Sequence, residues 1–140
     1  MFLLDTNVVS ELMRKLPDPV VEAWVSGHPV ERLFFSAVGE AELRYGAAVM
    51  PAGRRRNTLV SDIESMLRAA FEGRILPFDS EAAVAYAGIA SARRAAGRPV
   101  PTADCQIAAI ARSRGMAVAT RNVRDFADTG IDIVDPWTRV

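Results

Sequence analysis

The sequence predicts an α/β fold in which a central parallel β-sheet lies between two layers of helices. Short apolar segments alternate along the chain with longer segments whose apolar residues follow a helical period. Such alternation is typical of strands that are joined by helices. A helix that joins two strands of one sheet makes them parallel, and a parallel sheet is covered by helices on both faces. We therefore expect a three-layer α/β/α sandwich.

The strands are predicted from apolar runs that are too short for helices and are bounded by polar or turn-forming residues. The first runs directly into Asp5, and the second ends at Ser36, a residue type that caps helices. The third has Pro77 near its end, where a proline is tolerated, and the fourth ends at Thr120. The predicted strands are residues 2–4, 32–36, 75–78, 116–119 and 131–134.

Between these strands the apolar residues follow a helical period, and proline or glycine marks several helix ends. Prolines at 17 and 19 separate the first two helices, Pro51 and Gly53 end the third, and Gly97 ends the fifth. The predicted helices are residues 7–14, 20–25, 37–50, 57–71, 80–96 and 101–114, with a helical turn at 123–127. The chain contains no internal repeat, low-complexity tract or linker, so we expect a single domain over residues 1–140.

The composition excludes several classes of protein. Basic and acidic residues balance at 17 each, which argues against diffuse electrostatic binding of nucleic acid. The single cysteine, Cys105, rules out an internal disulfide and is expected to be a small buried residue, and the single histidine, His28, lies in a predicted turn. The N-terminus has no basic segment, and its apolar run is too short for a signal peptide or a membrane span. We expect a cytoplasmic protein with no membrane partner.

The acid that follows the first strand is the first candidate site residue. Ligands of parallel-sheet proteins bind beyond the carboxyl ends of the strands, and Asp5 is predicted to lie at such an end. An acid in this position can also be a simple helix cap. The choice depends on whether other acids are placed to meet it.

Two predicted helices carry an acid on an apolar face. At about 100° per residue, Glu42 shares its face with apolar residues and Glu40 points to the opposite side, into water. The face of Glu42 contains Val38, Ala41, Tyr45 and Val49, and Asp104 leads a face that contains Ile107, Ala108 and Ala111. Glu42 could instead lie at the edge of its face or pair with an arginine. Asp104 could be a first-turn acid, favoured by the helix dipole, beside a cap at Thr102.

The loop after the fourth strand supplies further oxygen ligands. Thr120, Asn122 and Asp125 follow the strand at its carboxyl end, and such side chains suit a hard cation or its water shell. Asp125 could alternatively be a first-turn acid of a short helix. If Asp5, Glu42, Asp104 and Asp125 share a site, a cation is needed to offset their repulsion. Because the donors are all oxygen, Mg²⁺ or Mn²⁺ is favoured over zinc, and magnesium with open water positions suits phosphodiester hydrolysis.

The sequence resembles the PIN-domain ribonucleases, specifically the VapC-like toxins of type II toxin–antitoxin systems. The resemblance covers essentially the whole chain and is carried by LLDTNVVSEL, SAVGEAELRYGA, GRPVPTADCQIAAIARSRGMAVATRNVRDF and the closing DPW. It implies a PIN-like sandwich, Mg²⁺-dependent cleavage of RNA, a homodimer, and inhibition by a cognate protein antitoxin. It also implies an acidic centre of Asp5, Glu42 and Asp104, with Asp125 or Asn122 as the fourth member. Thr6, Asn7, Thr120 and Asn122 are the expected supporting residues.

Several arginines are candidates for contacts with RNA phosphates. They are Arg14, Arg44, Arg54, Arg55, Arg56, Arg121 and Arg124. The run at 54–56 could equally meet an acidic segment of the antitoxin.

Two other functions stay open. One is a different phosphoryl hydrolase, such as a phosphatase that uses Asp5 as its nucleophile, although no partner acid adjoins Asp5. The other is a non-catalytic PIN-like binding module, against which the presence of all four acids argues.

Overall fold

The strands of the computed structural model, which describes residues 1–138, form a single sheet. They are β1 (Phe2–Leu4), β2 (Leu33–Ser36), β3 (Ile75–Leu76), β4 (Ala117–Ala119) and β5 (Ile133–Val134). The order across the sheet is β3-β2-β1-β4-β5, and every neighbouring pair is parallel. The predicted parallel sheet is confirmed. The third strand is shorter than predicted because Pro77 has no N–H with which to extend the ladder.

Helices cover both faces of this sheet. They are α1 (Thr6–Leu12), α2 (Pro19–Ser26), α3 (Ala37–Ala48), α4 (Arg54–Phe71), α5 (Ser80–Ala95), α6 (Thr102–Ser113) and α7 (Val123–Phe126), with a 3₁₀ turn at Val30–Arg32. The arginines at 54–56, which we expected to precede the fourth helix, form its first turn. As predicted, the hydroxyl of Ser36 caps α3 by accepting from the backbone N–H of Gly39 at 2.9 Å. None of the helices in residues 1–138 has the length and apolar content needed to cross a membrane.

The central strands divide their side chains between two apolar cores, because successive residues of a strand point to opposite faces. Leu3 and Val118 belong to the core beneath α5 and α6. Leu4 and Ala119 belong to the core beneath the helices of the first half of the chain. Parallel strands that are buried on both faces have no polar alternation, which explains the continuous apolar runs in the sequence.

The order of the strands creates a crevice between β1 and β4. The chain proceeds from β1 through β2 to β3 on one side of the sheet, then crosses to place β4 and β5 on the other side. β1 and β4 are therefore paired neighbours, with Leu4 opposite Ala119. The segments that follow these two strands leave the sheet in different directions. A change of direction of this kind opens a binding crevice at the carboxyl ends of the two strands. Asp5 and Thr120 directly follow those ends.

The predicted buried face of α3 is wrong. Tyr45 and Val49 were expected on that face, yet they are 70% and 61% exposed. The residues of α3 that are buried are Gly39 and Ala47. α3 contacts the sheet through these small residues because the contact is close. A Cβ atom on Gly39 would lie 2.5 Å from Cε1 of the buried Phe35 ring.

Candidate active site

A cleft of about 500 Å³ opens at the crevice between β1 and β4. The segment after β1 contributes Asp5 and Asn7 to its wall, and α3 contributes Glu42. α6 contributes Asp104, and the loop after β4 contributes Asn122. The structure thus brings to one place acids that are far apart in the sequence.

Asp5 is held in one orientation by hydrogen bonds to both carboxylate oxygens. Its Oδ1 accepts from the backbone N–H of Thr6 at 2.8 Å. Its Oδ2 accepts from the hydroxyl of Thr120 at 2.7 Å and from the side-chain amide of Asn7 at 3.3 Å. The residue is only 3% exposed, and this burial raises its pKa above the usual value in spite of the hydrogen bonds. Asp5 therefore both caps α1 and lines the cleft.

Asp104 lies in the first turn of α6, half-buried, with its carboxyl group near the other acids. Burial raises the pKa of Asp104 from 3.8 to about 7, and the negative charges of Asp5, Asp125 and Glu42 add to this effect. A helix dipole alone would lower the pKa of a first-turn acid. Asp104 is a first-turn acid, as the alternative expected, but Thr102 does not cap α6, because Pro101 occupies the cap position and no side chain caps the helix.

Glu42 reaches the cleft from the exposed side of α3, not from a buried face. Its Oε1 accepts from the hydroxyl of Thr6 at 2.6 Å. The backbone N–H of Thr6 donates to Asp5, so one residue connects the two carboxylates. Glu40, on the opposite side of α3, accepts from Arg44 at 2.8 Å and is not part of the cleft.

Asp125 occupies the first turn of α7, and its carboxyl group lies within hydrogen-bonding range of Asp104. Its negative charge also contributes to the raised pKa of Asp5. Its backbone carbonyl accepts from Arg93, whose guanidinium also donates to the carbonyls of Ala127 and Arg98. Arg93 is 4% exposed. Its hydrogen bonds hold the main chain that carries the Asp125 side chain.

Thr120 is the centre of the supporting hydrogen bonds. This fully buried residue donates to Asp5 and accepts from the backbone N–H of Asn122 at 2.9 Å. The side-chain amide of Asn7 donates to the Thr120 hydroxyl at 3.4 Å, and the Asn7 carbonyl oxygen accepts from the backbone N–H of Arg121 at 3.3 Å. The expected supporting residues therefore connect the ends of β1 and β4.

The donor set fits a hard divalent cation. All the converging side chains offer oxygen, and no salt bridge within residues 1–138 involves Asp5, Glu42, Asp104 or Asp125. Burial, and to a smaller extent repulsion between the acids, raises the pKa values of Asp5 and Asp104, and a cation would stabilise their charged forms. Within residues 1–138, no three Asp, Glu, His or Cys side chains are arranged so that they could hold one metal ion. Magnesium does not need such a cage, because it is commonly bound by one or two carboxylates and several waters.

The PIN domain family model matches residues 2–131 of the chain. This protein belongs to the PIN-domain family. Nuclease members of the VapC group in this family generally depend on a divalent metal ion. The family membership that the sequence suggested is confirmed, and the α/β/α sandwich described above is the PIN-like fold that it implied.

Curated relatives match this PIN domain over nearly its whole length. It is 43% identical over 137 residues to the VapC ribonuclease Y4jK of Sinorhizobium fredii, covering 98% of each chain. It is 39% identical over 137 residues to Toxin FitB of Neisseria gonorrhoeae, covering 98% of this chain and 99% of the relative. The crystal structure of FitAcB from Neisseria gonorrhoeae superposes with a TM-score of 0.91 at 39% identity, covering 98% of this chain and 99% of that chain.

The candidate RNA-binding arginines of the PIN domain are not all at the cleft. Arg14 and Arg121 line it, and Arg14 also forms a salt bridge with Glu11 at 3.2 Å. Arg44 is paired with Glu40 and Glu64. The remaining candidates do not line the cleft: Arg54, Arg55 and Arg56 lie in the first turn of α4, and Arg124 lies in α7.

Three residues at or beside the cleft did not emerge from the sequence as site residues. Glu11 is 7% exposed and accepts from Arg14 and from the backbone N–H of Asp18. Trp137 lines the cleft from the segment after β5. Arg93 could have been found from its spacing, because it lies four residues after the buried Ile89 on the same face of α5.

The lone cysteine and histidine have structural roles, as expected. Cys105 is buried, and burial raises the pKa of its thiol. The ring of His28 packs against Phe2 and Trp24, with centroid separations of 4.8 and 4.5 Å. Neither residue is among those that line the cleft.

Proposed function

We propose that this protein is a Mg²⁺-dependent endoribonuclease that acts as the toxin of a toxin–antitoxin pair. The observation that carries the proposal is the meeting of four carboxylates at the crevice between β1 and β4, without a basic partner among the described residues. The near full-length similarity to proteins named VapC ribonuclease and Toxin FitB supports the same activity and role.

In this proposal Asp5 and Asp104 hold the ion, and Glu42 and Asp125 hold it or its water shell. Oxygen donors favour Mg²⁺, with Mn²⁺ as a substitute. When bound, the ion lowers the pKa of water and neutralises the charge that develops on the phosphate. The chain itself fixes the acids: Thr120 and Asn7 orient Asp5 through the hydrogen bonds described above.

We further propose that Asp104 releases a proton when the metal ion binds. With a pKa of about 7, Asp104 is partly protonated at neutral pH in the metal-free protein, and its carboxyl group faces Asp125. A cation favours the deprotonated carboxylate, so metal binding should release a proton near pH 7. This release can be measured directly with a pH indicator in weakly buffered solution.

The test is RNA cleavage by purified Asp5→Asn and Asp104→Asn variants with saturating Mg²⁺ and with EDTA. Asparagine preserves the shape of the side chain and removes its charge, so we expect cleavage to fall by roughly 100-fold or more. Circular dichroism should show that both variants are folded. Wild-type protein in EDTA should also be inactive.

Glu40→Gln is the matched control, because this glutamate is on the opposite side of α3 and pairs with Arg44 outside the cleft. It should cleave RNA at nearly the wild-type rate. Turnover close to wild type in Asp5→Asn or Asp104→Asn would remove that residue from the site. Activity that persists in EDTA would overturn the metal-dependent mechanism as a whole.

We propose that a cognate antitoxin inhibits the enzyme by placing a protein segment at the cleft. A groove of about 440 Å³ between α1, α3 and α4 adjoins the cleft and shares Thr6, Arg14 and Glu42 with it. Its floor is apolar and includes Leu43 and Leu59. An amphipathic segment that lies in this groove could extend a basic side chain into the acids.

Co-expression tests the partner. The protein should be toxic to growing cells, and the product of a neighbouring small gene should restore growth. The Asp5→Asn variant should be harmless without that partner yet still bind it. Toxicity that persists with every neighbouring gene product would contradict the antitoxin assignment without affecting the nuclease assay.

We also propose that the enzyme is a homodimer. It would work in the cytoplasm, where both its RNA substrate and its protein antitoxin are found. Sedimentation of the purified protein at several concentrations measures the first point. A monomer at all concentrations would exclude the dimer.

A further inference from the structure

The segment after β5 brings an aromatic side chain to the cleft that the acid centre does not use. Asp135 accepts from the backbone N–H of Trp137 at 2.9 Å, and the intervening Pro136 is buried, so the start of this segment is fixed. The Trp137 ring packs partly against the core beneath the first-half helices and also lines the cleft. Part of the indole is thus anchored and part faces the cleft.

Arg121 covers this ring with its guanidinium. The Arg121 Cζ atom lies 4.9 Å from the centroid of the Trp137 ring, a cation–π arrangement. The backbone N–H of Arg121 donates to Asn7, whose amide donates to Asp5. The stacked pair is therefore connected through hydrogen bonds to the carboxylate that ends β1.

Charge makes this pair different from the other cation of the cleft. Arg14 is bound by Glu11, so its charge is largely offset. No carboxylate of residues 1–138 forms a salt bridge with Arg121, and its guanidinium lies over the indole. The carboxylates of the cleft repel the phosphates of an RNA strand, so the strand needs contacts that offset this repulsion. A planar cation on an aromatic ring offers such a contact.

We propose that Arg121 and Trp137 form a stacking subsite for a nucleobase of the RNA strand beside the acidic centre. The inference rests on the proposed ribonuclease function and assigns to that site a contact with a base in place of a phosphate. Stacking on aromatic rings and on guanidinium planes is a common way for proteins to bind unpaired bases. Because every base has a π-face, the subsite adds affinity and fixes the register of the strand without selecting one base.

Tryptophan fluorescence provides a direct test, because the chain has two tryptophans. A Trp24→Phe protein reports on Trp137 alone, and a Trp137→Phe protein reports on Trp24 alone. Trp24 packs against Phe2 and His28 and does not line the cleft, so it is the matched control. Both proteins are titrated in EDTA at low salt with a mixed-sequence single-stranded RNA and with an abasic oligomer of equal length.

The single-Trp137 protein should be quenched by the RNA and not by the abasic oligomer, whereas the single-Trp24 protein should respond to neither. In the otherwise wild-type chain, Trp137→Leu should weaken RNA binding about tenfold. Trp137→Phe should keep most of the affinity. Arg121→Lys keeps the charge but loses the planar face and should bind several-fold more weakly.

The outcomes separate this inference from the proposed function. RNA that binds without quenching Trp137, or that quenches it no more than the abasic oligomer does, overturns the stacking subsite. Cleavage with Mg²⁺ would in that case leave the ribonuclease intact. A folded protein that neither binds nor cleaves RNA overturns both. The quenching experiment leaves Trp137 in place, so it decides the question even if Trp137→Leu is unstable.

Discussion

Replacing Asp104 with asparagine should stabilise the metal-free protein above pH 7, although it should also abolish cleavage. Asp104 has a pKa of about 7 in the folded state, compared with 3.8 for the unfolded chain, because burial and three neighbouring carboxylates oppose its negative charge. Asparagine is neutral at every pH. The variant therefore removes an unfavourable charge while it keeps the volume of the side chain.

The sign and size of the effect follow from proton linkage. Below pH 4 both states hold the proton, and the contribution of Asp104 to stability is fully present. Between pH 3.8 and about 7 only the folded state keeps the proton, so the free energy of unfolding falls as pH rises, and the loss is complete above about 7. At about 1.4 kcal/mol per pH unit this interval gives an upper bound of about 4 kcal/mol. Asp104 is only half-buried, and screening by water reduces the expected value to about 2 kcal/mol.

Thermal melts measure the result. In EDTA at about pH 8, Asp104→Asn should melt roughly 4–8 °C above wild type, and at about pH 4 the two should nearly coincide. Mg²⁺ should raise the melting temperature of the wild type by mass action and that of the variant much less. Glu40→Gln should behave as wild type throughout. If Asp104→Asn melts lower than wild type at pH 8 in EDTA and responds equally to Mg²⁺, Asp104 is a structural acid and the site is misplaced.

Three further substitutions test the framework around the acids by chemical unfolding and RNA cleavage. Arg93→Met leaves three backbone carbonyls without their buried donor and should cost about 3 kcal/mol, with a loss of cleavage that Arg93→Lys partly restores. Gly39→Ala should cost about 1–3 kcal/mol because the new Cβ meets the Phe35 ring at 2.5 Å, whereas the matched Gly46→Ala, with no atom within 4 Å, should be neutral or stabilising. Thr120→Val removes the hydroxyl that donates to the carboxylate after β1 and should cost about 1–2 kcal/mol and slow cleavage, while Thr120→Ser should retain both. Wild-type stability of Gly39→Ala or of Thr120→Val would contradict the corresponding contact.

Local signals in the sequence determined most of the secondary structure. The apolar run Phe2–Leu4 is a strand with its predicted bounds, and the polar cap at Ser36 starts α3 where it was expected. These features depend on neighbouring residues alone, through side-chain periodicity and capping. The acids that follow strands or lead helices were identifiable for the same reason. Asp5 and Asp104 are at the cleft, where parallel-sheet topology indicated a site.

Only the tertiary structure decided which surfaces meet. The face of α3 was mispredicted because periodicity favours large apolar residues. The helix instead buries Gly39, which lies against the Phe35 ring, and Ala47, and it leaves Tyr45 exposed. Glu42 reached the cleft for a different reason from the one predicted, a hydrogen bond with Thr6 that joins positions 36 residues apart.

The same applies to Arg93 and Trp137. Arg93 fixes a backbone that lies 32 residues further along the chain, and Trp137 reaches the cleft only because β5 pairs beside β4. Their roles depend on strand order and on contacts between distant segments, which no local pattern encodes. Local residue chemistry therefore determined which groups could form a site, and the packing of the sheet and helices decided which of them share it.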